Sequence, residues 1–248
     1  WANSVPMRRV PSFGMAGDVI YEPMWVSEKF VPYTQTAMFV DPAGRGTDET
    51  AVCVASFANG YIFVHELMGL EGGYDKSVLM KIAKVAYEYG INLIRVESNW
   101  GDAMFCQLLR PVVAEICGQV AIEEYRVSGS KESRMISVLE PIMASHRLCF
   151  NTKAIKQEET QRQITRLHEG RGALKHDDRV DVLSAAVSYW EDNLGVNIDN
   201  VIARNKEEEQ MGIIRDWMDD KRRARSLLQG RSSGALRVNN RLNRRFGR

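Results

Sequence analysis

The sequence predicts an α/β fold: a mixed five-stranded sheet, three antiparallel strands followed by parallel strands reached through helical crossovers, with helices on its faces. Three observations lead there. Three β-rich segments follow one another between residues 36 and 68, the apolar period changes to a helical one near residue 74, and strands and helices alternate from there. The chain of 248 residues is 44% hydrophobic and 26% charged, enough to bury a core. No apolar run approaches the roughly 18 to 20 residues of a spanning helix, so no membrane partner is expected.

Residues 1–34 carry Pro6, Pro11, Pro23 and Pro32 and are expected to form an irregular leading segment with one short strand around Val19–Tyr21. The domain proper is expected over 35–195. Its first strand, Thr36–Asp41, is mostly apolar and ends at Asp-Pro; a turn-rich loop follows to Glu49. Thr50–Phe57 and Tyr61–Met68 make a hairpin through Ala58-Asn59-Gly60. In Tyr74–Tyr89, Val78, Leu79, Ile82, Val85, Ala86 and Tyr89 recur at helical spacing, and Gly90 stops that helix. Ile91–Glu97 is a buried strand ending in an acid, Asp102–Cys117 a helix that Pro111 kinks or splits, and Val120–Val127 a strand. Lys131–Ala144, Ile155–Leu167 and Asp178–Asn193 read as helices. Residues 196–248 are expected to be helical and then a basic, flexible tail, with Ile202, Ile213, Ile214 and Trp217 on one side of the helix.

The net charge of +1 hides an asymmetry. Residues 221–248 hold ten basic residues and no acid, which leaves 23 basic and 32 acidic residues before them. A basic tail on an acidic body suggests a polyanionic partner. Cys53, Cys106, Cys117 and Cys149 form no CxxC pair and are expected to be reduced core thiols. The start, Trp1-Ala2-Asn3-Ser4, shows no leader pattern and reads as a cut from a longer protein.

In the expected topology the strands 36–41 and 91–97 are parallel neighbours, so Asp41 and Glu97 end side by side at one sheet edge, where open α/β sheets place their sites. Two such acids repel unless a cation lies between them, and a hard divalent ion with oxygen ligands does that best. The run His176-Asp177-Asp178-Arg179-Val180-Asp181 opens an apolar helical stretch, and acids three residues apart share a helix face. Asp178 and Asp181 can thus project toward the strand ends. Each acid has a plainer role open to it: Asp41 as a turn residue, Glu97 paired with Arg95 or Lys84, Asp177 or Asp178 as an N-cap. Jointly they point to a metal site at Asp41, Glu97, Asp178 and Asp181, with Asp48 and Asp177 as further ligands and His176 as an accessory group. The loop 42–49 lacks the GxxxxGK[ST] spacing, so an ATP site is excluded there. No Ser, Cys or Thr shows a His–acid set for nucleophilic catalysis.

The segments FVDPAGRGTDET, LIRVESNWGD and HDDRVDVLSAA, in this order, resemble the nuclease domain of phage large terminase subunits, of the short-tailed-phage type, within the RNase H-like and RuvC-like superfamily. The likeness covers roughly residues 36–192 and implies that the chain is the C-terminal half of such a subunit, without the ATPase motor half. It implies a metal-dependent endonuclease cutting concatemeric viral double-stranded DNA during packaging. The family's acids fall on Asp41, Glu97 and either Asp178 or Asp181. Two Mg2+ or Mn2+ ions about 4 Å apart would straddle the scissile phosphate for in-line hydrolysis, with Asp41 bridging them. Arg45, Lys131, Arg134, Arg171, Lys175 and Arg179 are candidate DNA contacts, to phosphates rather than bases, which predicts little sequence specificity. The resemblance also implies the portal protein, the small terminase subunit and the procapsid as partners, in the cytoplasm of the host cell. It implies a ring-shaped working motor, with the isolated domain a monomer. A RuvC-like junction resolvase and a non-catalytic DNA-gripping domain are the alternatives.

Overall fold

The computed structural model describes residues 6–12, 17–24, 32–43, 48–98, 103–169, 174 and 176–191. Packing divides the chain into residues 1–192 and 193–248, and all described residues belong to the first unit. The expected helix and basic tail over 196–248 therefore lie outside them.

The leading segment is more ordered than its prolines suggest. Strands β1 (Met7–Val10) and β2 (Ile20–Pro23) pair antiparallel as a separate two-stranded ribbon. Pro23 takes the end position, where a missing N–H costs no internal ladder bond.

The main sheet comprises β3 (Gln35–Asp41), β4 (Thr50–Ala58), β5 (Tyr61–Leu70), β6 (Leu93–Glu97), β7 (Ala121–Tyr125) and β8 (Leu148–Phe150), in the order β7-β6-β3-β4-β5-β8. β3, β4 and β5 are antiparallel; β6 and β7 add in parallel beside β3. The expected mixed sheet is thus present, with a sixth strand. β8 has only three half-buried residues and pairs in parallel with β5, too short to leave a period in the sequence. The β4–β5 hairpin turns through Asn59 (φ 51°) and Gly60 (φ 83°), the pair of positive φ angles that a two-residue turn matched to strand twist requires.

Helices α1 (Lys76–Glu88) and α2 (Ala103–Cys117) cover one face. Val78, Ile82, Phe105 and Leu109 pack there against Met38, Val40, Val54 and Val96. α2 runs unbroken through Pro111; the carbonyl that loses its donor belongs to exposed Gln107. The other face carries α3 (Lys131–Ala144) and α6 (178–191), where Met135, Leu139, Leu183, Val187 and Trp190 pack on Phe39, Ala55 and Leu67. The helix expected over 155–167 is two short ones, α4 (Thr152–Ile155) and α5 (Glu158–Thr165). β4 is buried along nearly its whole length, as a central strand covered on both faces should be. All four cysteines are free thiols. Among the described residues no helix is long and apolar enough to cross a membrane.

Candidate metal centre at the strand ends

β3 and β6 run in parallel with Val40 opposite Val96, so Asp41 and Glu97 occupy the next position on both strands. Side chains alternate between faces, and Val40 and Val96 face α1 and α2. Asp41 and Glu97 therefore project to the opposite face, toward α6. Asp181, in the first turn of α6, meets them: carboxylate oxygens of Asp41, Glu97 and Asp181 all lie within 4.8 Å of one another. Glu97 and Asp181 are buried, at 4% and 3% exposure.

Crowding three acids has an electrostatic consequence. Burial first, then the charges of Glu97 and Asp181, push the Asp41 carboxyl up to about 8, with Lys131 opposing and Asp178 adding to the rise. Asp181 is held by two cations from α3: Lys131 Nζ lies 3.1 Å from its Oδ2 and Arg134 Nη2 donates to its Oδ1 at 2.5 Å. Lys131 also donates to Asp177 Oδ1 at 2.8 Å. Burial alone would lower the Lys131 ammonium, but Asp181 and Asp177 outweigh it and raise its pKa.

Asp178 goes elsewhere. It joins Asp48 and His176 in a second group whose ligand atoms also lie within 4.8 Å of one another. His176 Nδ1 is 3.8 Å from Asp48 Oδ1. Burial pushes the Asp178 carboxyl up to about 6 against the pull of Lys131, with Asp177, Asp48 and Glu49 adding to the rise. Its Oδ2 is buried and meets no hydrogen-bond partner among the described residues. The expectation that Asp178 and Asp181 converge on the strand ends thus holds for Asp181 alone. Three residues along α6 separate Asp178 from Asp181 by about 4.5 Å of rise and leave them about 60° apart around the axis, enough to bring Asp178 to the loop carrying Asp48. Asp177 takes the N-cap position, its backbone carbonyl accepting from Asp181 N at 2.9 Å, and its carboxylate goes to Lys131.

The start of α6 is fixed by residues that the sequence did not single out. Buried Gln163 of α5 accepts from the backbone N–H groups of Arg179 at 3.0 Å and Val180 at 3.2 Å, capping the helix from outside. The Arg179 guanidinium forks onto Glu49 (2.6 and 3.0 Å) and donates to Gln157 Oε1 at 2.7 Å. Its side chain, also a candidate DNA contact, is only 12% exposed and locks the loop after Asp41 to α6. Gly69 makes the lock possible, because a Cβ there would overlap the Glu49 carboxylate. Thr50 Oγ1 accepts from Ala43 N at 3.0 Å and closes the same loop. Lys131 and Arg134, also expected as DNA contacts, spend their charges on Asp177 and Asp181. Arg45, Arg171 and Lys175 lie outside the described residues.

A further unforeseen neighbour is Tyr125, opposite Glu97 at the end of β7. Burial, then the charges of Glu97, Asp41 and Asp181, raise its phenol well above the ordinary value, so the hydroxyl stays protonated. The strand expected over Val120–Val127 contained Tyr125 but did not mark it as the residue that meets Glu97.

Residues 40–148 match the family described as the ribonuclease H-like domain of the bacteriophage T7 terminase. The large terminase subunit of Enterobacteria phage T3 is 34% identical over 195 residues, covering 73% of this chain and 33% of its own length. The chain therefore spans about a third of that relative. Among solved structures, the Mn-soaked terminase nuclease domain of human cytomegalovirus aligns with a TM-score of 0.47 at 14% identity, over 63% of this chain and 82% of that one. The nuclease domain of the large terminase subunit gp2 of bacterial virus Sf6 aligns with a TM-score of 0.46 at 9% identity, over 64% and 90%.

Proposed function

Through residues 40–148 the chain belongs to the terminase RNase H-like family, and from that premise we propose that it is a metal-dependent endonuclease cutting viral double-stranded DNA during genome packaging. The observation that carries the reading is the meeting of Asp41, Glu97 and Asp181 within 4.8 Å at the ends of β3 and β6 and the start of α6. Three clustered carboxylates, one with its pKa pushed up to about 8, fit a hard divalent cation, whose charge relieves their repulsion. Bound there, Mg2+ or Mn2+ ions supply an activated water and stabilise the departing 3′ oxygen.

The residues of the chain do the rest. Asp41, whose carboxylate lies within 4.8 Å of those of Glu97 and Asp181, would hold the metal together with them. Lys131 and Arg134 hold the Asp181 carboxylate in place through their ion pairs, and offset the negative charge that a DNA phosphate would meet. Asp48, His176 and Asp178 extend the acid surface toward the loop after β3 and are further candidate ligands. With no base-reading motif in view, recognition rests on phosphate contacts, with weak sequence preference and strong salt dependence. The portal protein, the small terminase subunit and the procapsid are the packaging partners this reading implies, in the host cytoplasm.

The test is cleavage of supercoiled and linear plasmid with Mg2+, Mn2+ or EDTA, comparing the wild type with a folded Asp41→Ala variant. Metal-dependent cutting that the substitution abolishes is expected. Equal cutting by both proteins, or cutting that persists in EDTA, would overturn the proposal.

A further inference from the structure

Asp41, Glu97 and Tyr125 end three adjacent parallel strands in register, so their side chains leave the same face of the sheet in a row. The phenol is firmly held. The Arg95 guanidinium lies 5.1 Å from its ring centre, and Ser98 donates to the Tyr125 carbonyl from its backbone N–H at 2.9 Å. Yet the Tyr125 hydroxyl is buried and meets no hydrogen-bond partner among the described residues. Leaving a buried hydroxyl unpaired destabilises a fold. A phenylalanine would fill the same space without that cost. The acids act on the phenol through their charge, yet none of them is hydrogen-bonded to its hydroxyl. A donor left open beside carboxylates can be met by a bridging water.

We propose that Tyr125 is a positioning residue of the acid row: its hydroxyl donates a hydrogen bond to a water carried by the divalent cation that Asp41, Glu97 and Asp181 hold. The assignment rests on the reading of the acid row given above. It explains why a hydroxyl donor stands beside three carboxylates and meets no partner among the described residues. A neutral donor would hold a cation's water without adding charge to the site.

The full chain tests this with three proteins: wild type, Tyr125→Phe and Asp41→Asn. Mn2+ binding is measured by calorimetry and by the Mn2+-induced rise in Tm, with plasmid cleavage alongside. Without metal, Tyr125→Phe should melt at or above the wild-type temperature, because only an unpaired hydroxyl is lost. With Mn2+ it should bind about tenfold more weakly, the order expected for a partner of a metal's ligand. Its Tm gain should shrink accordingly, and kcat should fall with KM for DNA unchanged. Mn2+ affinity equal to wild type overturns the proposal. So does an unchanged affinity with a raised KM for DNA, which would place the hydroxyl on a phosphate oxygen instead. A metal-free Tm clearly below wild type also overturns it, since the hydroxyl would then have a partner in the fold. If the wild type binds no Mn2+, or Asp41→Asn binds it equally well, the acid row itself is misread and Tyr125 falls with it.

Discussion

Removing the charge at Asp41 should stabilise the metal-free protein, and more so as the pH rises. Burial, Glu97 and Asp181 move this carboxyl from 3.8 to about 8, whereas in the unfolded chain it titrates near its ordinary value. Between those two values the folded protein holds a proton that the unfolded chain has released. Stability therefore falls as pH rises through that window and levels off above about 8. At about 1.4 kcal/mol per pH unit the ceiling is about 6 kcal/mol. Side-chain relaxation and entry of water at the partly open site reduce the expected loss to about 2–3 kcal/mol. Asp41→Asn cannot ionise and should lack that slope. Urea unfolding in EDTA at about pH 5, about pH 7 and about pH 9 measures it directly. The variant's advantage should widen up to about pH 8 and then hold constant, and Mn2+ should reverse the order by stabilising only the wild type. Parallel pH profiles for the two proteins, or a wild type that is the more stable at pH 9 without metal, would refute the electrostatic argument.

Three further predictions follow from the surroundings of the row. Glu49→Gln leaves Arg179 charged and without its ion-pair partner in a largely buried setting; it should destabilise by about 3–5 kcal/mol, read as a fall in the urea midpoint, and Gly69→Ala should act in the same direction by displacing Glu49. Leu183→Ala, a cavity under the helix that carries Asp181, should cost about 2–5 kcal/mol by the same measurement. Lys131→Gln removes the cation that lowers both Asp41 and Asp178, so the acidic limb of the pH–cleavage profile should move to higher pH; an unmoved limb would mean that neither acid governs it.

What the sequence made legible follows from how each feature is encoded. β3 and β6 are largely apolar runs closed by a single acid, so strand, parallel pairing and the neighbouring Asp41 and Glu97 could all be read together. Helical spacing likewise exposed α1, α3 and α6. β8 is three residues long and gains its order only by docking on β5, which no local period reports. The choice between Asp178 and Asp181 was illegible for a similar reason. Both lie in the first turn of α6, and the deciding factor is the direction in which Gln163 and the Glu49–Arg179 pair hold that turn. Long-range contacts also decide the fate of a cation: Lys131, Arg134 and Arg179 look alike as surface charges in a sequence, yet each is drawn inward by a carboxylate distant along the chain. Tyr125 became visible only once β7 was in register with β6.

The most direct test of the central claim is an anomalous difference map from crystals soaked in Mn2+. The account predicts a strong peak coordinated by Asp41, Glu97 and Asp181, which Asp41→Asn removes. A map with density only at Asp48, His176 and Asp178, or one that Asp41→Asn leaves unchanged, would contradict it.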